Sequence, residues 1–152
     1  MKKPLFPLVL AMFLVVLPIG VISFGNPLAN AKEINSPSDR IKIDDLTLSN
    51  EKLIINYENI HLAQFEDTNS MDPVLDDKSI GIEIVPDYEN EINEGDIVAY
   101  ESEYGIIIHR VEKISYDNDG WYATMKGDNN SVSDPYNVRF DQIKYVLVGV
   151  LY

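Results

Sequence analysis

The chain contains no cysteine. That removes a thiol nucleophile, a disulfide framework and any Cys-ligated zinc site, and it leaves the redox compartment unread. Histidine is nearly as scarce: His61 and His109 are the only two, so a metal site built on several imidazoles is excluded. Positive charge is also short, with 12 Lys and Arg against 25 Asp and Glu, a formal net charge of −13. Two of the basic residues, Lys2 and Lys3, precede residue 32 and every acidic residue follows it, so residues 32–152 carry −15. A surface that acidic repels phosphate backbones and anionic headgroups, which excludes a nucleic-acid role. Helical periodicity is missing beyond residue 31, and long apolar runs occur in one place only.

That place is the N-terminus. Met1-Lys2-Lys3 precedes an uncharged run over 4–30 whose apolar heart lies between Leu5 and Phe24. About 20 such residues span the hydrocarbon core of a bilayer as a helix. Residues 1–31 therefore read as a signal anchor or as a cleavable signal peptide. The length and the flanking lysines suit the anchor, and Ala29-Asn30-Ala31 before Lys32-Glu33 suits a cleavage site. Either reading places the remainder outside the cytoplasm: membrane-anchored through an N-terminal helix if residues 1–31 are kept, secreted if they are removed.

Residues 32–40 are polar and punctuated by Ser and Pro, and they read as a linker. From residue 41 the period becomes two. Ile41, Ile43, Leu46 and Leu48 alternate with polar residues, and similar segments follow at 53–56, 60–65, 80–85, 96–101, 105–115, 121–126 and 145–151. Turn formers separate them at 93–95, 117–120 and 127–130. Short strands at this spacing predict a mainly β domain over 41–152, of sandwich or barrel-like form.

Four polar stretches interrupt the strand pattern. In Thr68-Asn69-Ser70-Met71-Asp72-Pro73, Ser70 could serve as a nucleophile on a turn with free backbone N–H groups, though a lone serine here reads first as a turn residue or helix N-cap. His109, ending the apolar run Ile106-Ile107-Ile108, is placed where a general base could be tuned, though alone it reads first as a satisfied strand histidine. His61 has no such company and reads as a surface or edge residue. The loop from Lys126 to Pro135 holds Asp128 and Asp134; it lacks the further ligands of a calcium loop and reads as a long hairpin connection. Glu94-Gly95-Asp96 reads as a turn entering a strand. Together, Ser, His and Asp in that order are the parts of an acyl-transfer triad.

The order and local context of these stretches resemble the type I signal peptidases over residues 66–152, specifically the archaeal and endoplasmic-reticulum branch. Thr68-Asn69-Ser70-Met71-Asp72-Pro73 stands where that branch has Ser-Gly-Ser-Met-Glu-Pro, with Asn69 in place of Gly. Gly95-Asp96-Ile97-Val98, His109-Arg110-Val111, and Lys126 to Asn130 followed by Asp134 match three further boxes. The resemblance implies a signal-peptidase/LexA-like β fold and a serine endopeptidase that cuts extended peptides after small residues. It makes Ser70 the nucleophile, His109 the base, Asp134 the orienting acid and Asp128 a supporting carboxylate. It further implies an oxyanion hole from the Ser70 N–H and the Thr68 hydroxyl, with Met71 on the substrate surface. The expected partners are protein or peptide substrates and, through the N-terminus, a membrane; no cofactor is expected. Two alternatives remain open: a LexA-like self-cleaving Ser/Lys peptidase using Lys126, and a non-catalytic exported interaction domain on the same fold.

Overall fold

The computed structural model describes residues 33–152; the expected signal or anchor over 1–31 lies outside them. Among the described residues there are strands and short 3-10 turns but no α-helix. The elements are β1 (Leu46–Ser49), β2 (Lys52–Ile55), β3 (Ile60–Gln64), β4 (Ile80–Ile84), β5 (Ile97–Ser102), β6 (Gly105–Asp117), β7 (Gly120–Lys126), β8 (Asn137–Val138) and β9 (Ile143–Leu151). The period-two segments thus appear as strands within a few residues of their expected limits. The two-residue strand β8 is too short for any period to reveal.

β1 and β2 form a hairpin of their own, closed by Asn50 and Glu51 at φ 50° and 62°. Positive φ at both central residues gives the turn the twist that antiparallel strands need. The other seven strands form one antiparallel sheet in the order β3-β4-β9-β5-β6-β7-β8. Its end strands β3 and β8 do not hydrogen-bond each other, yet Ile60 of β3 and Val138 of β8 belong to one core, so the mainly β expectation appears as a curled sheet that pairing does not close and a separate hairpin.

Alternation along the central strands loads both faces of the sheet. One face carries Val98 and Tyr100 of β5 and Val146 of β9, packed with Val111, Trp121, Ala123 and Met125. The opposite face carries Ile97 and Leu147, which pack with Met71 and Leu75 from the β3–β4 connection and with Ile108. Burial on both faces explains the unbroken apolar run Ile97-Val98-Ala99-Tyr100.

Two expectations change at the start of the described chain. Ile43 does not continue a strand: residues Ile43–Asp45 form a 3-10 turn, because the Asp45 carboxylate accepts the Lys42 N–H (2.8 Å) and the Asp45 N–H bonds the Lys42 carbonyl. Nor are residues 35–40 a free linker. The Ser38 N–H (2.7 Å) and the Arg40 guanidinium (2.7 Å) both bond the fully buried Asp96 carboxylate, and Arg40 also reaches the Glu91 carbonyl. A buried charge demands such partners, and this polar segment supplies them. Gly95 (φ 102°) makes the docking possible, since a Cβ there would lie 2.4 Å from the Ser36 carbonyl oxygen.

Candidate active site

The β3–β4 connection carries Ser70. Asn69, just before it, takes φ 58°, the left-handed conformation that Asn tolerates best among residues with a side chain. Asn69 can therefore occupy a turn position that would otherwise call for glycine. After Ser70 the chain turns back, with the Val74 and Leu75 N–H groups bonding the Met71 carbonyl (2.8 and 3.1 Å). Met71 and Leu75 are buried against Ile97 and Leu147, which pins the connection to the sheet. Ser70 stays half-exposed, its Oγ 3.1 Å from Thr68 Oγ1, and its N–H is directed at the same hydroxyl at 3.5 Å.

A second loop, after β7, holds the serine in place. The Asn129 N–H donates to the Ser70 carbonyl (3.0 Å) and the Asn129 side-chain amide to the Asn69 carbonyl (3.0 Å). Gly127 sits so near that a Cβ would lie 2.6 Å from the Ser70 oxygen. Asp128 in this loop does not meet a histidine. Its carboxylate takes a two-pronged bond from Arg110, Nε to Oδ1 at 2.7 Å and Nη2 to Oδ2 at 2.6 Å. Arg110 also donates to the Gly95 (2.7 Å) and Asn35 (3.3 Å) carbonyls. Asp128 thus ties the loop to β6, so its support for the site is structural and indirect.

Asp134 is the carboxylate on the imidazole: His109 Nδ1 lies 2.8 Å from Asp134 Oδ2, with side-chain exposures of 9% and 10%. The Asp134 N–H is itself fixed by the Met125 carbonyl (2.8 Å). A carboxylate accepting from Nδ1–H leaves Nε2 of the neutral ring as the free acceptor. The same Oδ2 also takes the hydroxyl of Tyr100, a residue of β5 with no exposed surface. Burial, and then the adjacent Asp134 carboxylate, push the Tyr100 hydroxyl far above its ordinary value, so it remains a donor.

Ser70 and His109 open onto one groove of about 690 Å³, which Thr68 and Met71 also line. Residues 61–66 and 106–109 supply two stretches of its lining. β3 is an edge strand, and β7 pairs with β6 only from Arg110 onward, so the first half of β6 pairs with β5 alone. Both stretches therefore carry strand edges with unpaired backbone groups, the setting in which an extended peptide can add as a strand. Among the described residues no group of three or more potential ligands is placed to hold a metal ion.

Of the residues singled out in the sequence, Ser70, Thr68, Met71 and His109 share the groove and Asp134 stands behind His109. Tyr100 and Asn129 were not singled out. A tyrosine inside a fully buried strand needs a partner for its hydroxyl, and that was the available signal. His61 is exposed on the edge strand β3, as expected of a surface or edge residue, and from there it lines the same groove and bonds Glu83. Compared with known proteins, the chain matches no protein-family model, no curated protein and no solved structure.

Proposed function

We propose that this domain is a serine endopeptidase of the signal-peptidase I type, on that family's β fold, acting on extended peptides with small residues before the cut. The observation that carries the reading is the bond from His109 to a buried Asp134 while His109 shares a groove with Ser70. His109 with its carboxylate Asp134 has the partner that a general base requires, on a groove that Ser70 also lines.

In this reading His109 Nε2 takes the proton of Ser70 Oγ, which leaves its Thr68 partner as it attacks the scissile carbonyl carbon. The carbonyl oxygen becomes an oxyanion held by the Ser70 N–H and the Thr68 hydroxyl. His109 then passes its proton to the departing amine, leaving an ester on Ser70. A water molecule deprotonated by His109 cleaves that ester and restores the serine. Asp134, held by Tyr100, fixes the ring and offsets the imidazolium charge. Residues 1–31 would hold the enzyme at a membrane, or leave by cleavage.

The alternative base, Lys126, stands across from Arg110 in the β6–β7 pairing and is not among the residues that line the groove. The test is covalent labelling of the full chain in detergent with a serine-reactive fluorophosphonate, followed by mapping of the modified residue. Labelling at Ser70 that is lost in both Ser70→Ala and His109→Ala is expected. A folded wild-type protein that stays unlabelled would favour the non-catalytic interaction domain, and undiminished labelling of His109→Ala would remove His109 as the base.

A further inference from the structure

A second imidazole–carboxylate pair faces the groove. His61 of β3 and Glu83 of β4 are cross-strand neighbours, with His61 Nδ1 3.1 Å from Glu83 Oε2. The His61 ring stacks on Tyr145 of β9, the centroids 4.5 Å apart and the planes 10° from parallel. All three side chains line the groove, and the triad uses none of them. Glu83 is only 2% exposed and lies between Ile82 and Ile84. Burial raises its carboxyl above the ordinary range, with the His61 bond acting in the opposite sense. A position selected for packing alone would hold an aliphatic residue, as its two neighbours do.

The surroundings indicate what such a carboxylate can bind. The groove lining includes Glu66 as well as Glu83, and no Lys or Arg. A desolvated carboxylate attracts a cation with little screening, and the Tyr145 ring stacked on His61 holds the imidazole that orients it. The −15 charge of residues 32–152 draws cationic peptides toward the domain.

Building on the endopeptidase reading, we propose that Glu83, oriented by His61 and flanked by Tyr145, forms a specificity subsite for a Lys or Arg side chain of the substrate, away from the scissile bond. The subsite and the chemistry fail separately, so they are tested separately. The full chain carrying Ser70→Ala, in detergent at about 0.15 M salt where the Debye length is about 8 Å, is titrated with fluorescent peptides. Each peptide has an Ala-x-Ala core and a single Lys moved through its length, and is matched by a norleucine twin. One position is expected at which Lys binds about tenfold more tightly than norleucine, the scale of one charge-assisted contact. That preference should fall to within about twofold in Glu83→Gln. Tyr145→Leu, at a half-buried position that leaves the carboxylate in place, should weaken the preference too. Equal binding of the twins at every position, or a preference that survives Glu83→Gln in a folded protein, overturns the subsite. Ser70 labelling combined with equal binding refutes the subsite alone. A Glu83-dependent preference without Ser70 labelling supports the subsite and refutes the endopeptidase.

Discussion

Asp128 and Asp134 lie in one loop but bond different partners, Arg110 and His109, so under the endopeptidase reading their amide variants should fail in different ways. In Asp134→Asn, two donors, His109 Nδ1 and the Tyr100 hydroxyl, converge on the position of Oδ2. The amide will place its oxygen there, which keeps the tautomer and removes only the negative charge facing the imidazolium. Two unit charges about 4 Å apart at an effective dielectric of about 20 interact by about 4 kcal/mol. That regime suits side chains 9% and 10% exposed, and 4 kcal/mol corresponds to about 10³-fold in turnover. Asp128→Asn instead leaves the Arg110 guanidinium uncompensated where the pair is 11% and 7% exposed, a loss of about 3–5 kcal/mol in stability. Urea titration followed through Trp121, the only tryptophan and 5% exposed, reports stability; hydrolysis of an Ala-x-Ala peptide reports turnover. Asp134→Asn should keep its urea midpoint and lose turnover. Asp128→Asn should lose its midpoint and, where still folded, keep turnover within about tenfold. Asp134→Asn at full turnover, or Asp128→Asn inactive with an unchanged midpoint, refutes the assignment.

Tyr100→Phe deletes a donor to a buried carboxylate, so it should cost about 1.5–3 kcal/mol in urea unfolding and slow turnover less than Asp134→Asn does; a variant matching wild type in both would show the bond to be idle. Gly127→Ala forces a Cβ to 2.6 Å from the Ser70 carbonyl oxygen. It should cost about 1–3 kcal/mol and lower kcat more than it raises KM, and unchanged kinetics would mean the loop does not set the serine. Burial raises the Glu83 carboxyl, so the folded chain holds a proton that the unfolded chain has released. The stability from that group is complete below the unfolded value of about 4.3 and is lost as pH rises through the higher folded value. The midpoint of Glu83→Gln should therefore gain on wild type as pH rises above about 4, whereas a gap independent of pH would contradict a raised carboxyl.

The strands were legible because alternation and turn residues are local: 96–101 read as a strand segment, and the turn formers at 117–120 as the break between two strands. Ser70, His109 and Asp134 stood out only in combination, through their order and neighbours, since each alone reads first as a turn, strand or loop residue. What stayed hidden depends on register. His61 meets Glu83 because β3 and β4 pair at a specific offset, and Tyr145 reaches them only because β9 runs beside β4. The grip of Ser38 and Arg40 on Asp96 spans more than fifty positions, so a polar stretch with Ser and Pro looked like a spacer. The spacing of Asp128 and Asp134 likewise does not say which of them meets Arg110 and which His109.

β9 lies between β4 and β5, although both precede it in the chain. On one side of it are β3, β4 and their connection, with His61, Ser70 and Glu83; on the other is the β5–β8 meander with Tyr100, His109 and Asp134. β9 is therefore the seam between Ser70 and His109. Each half can form its own local pairings, but contacts across the seam wait for distant chain to return, the slow step in β topologies. A chain emerging from synthesis would carry Ser70 and His109 for some time before they faced each other. Under the endopeptidase reading, that order of assembly keeps a half-made molecule from cutting its own Ala29-Asn30-Ala31 or that of a neighbour.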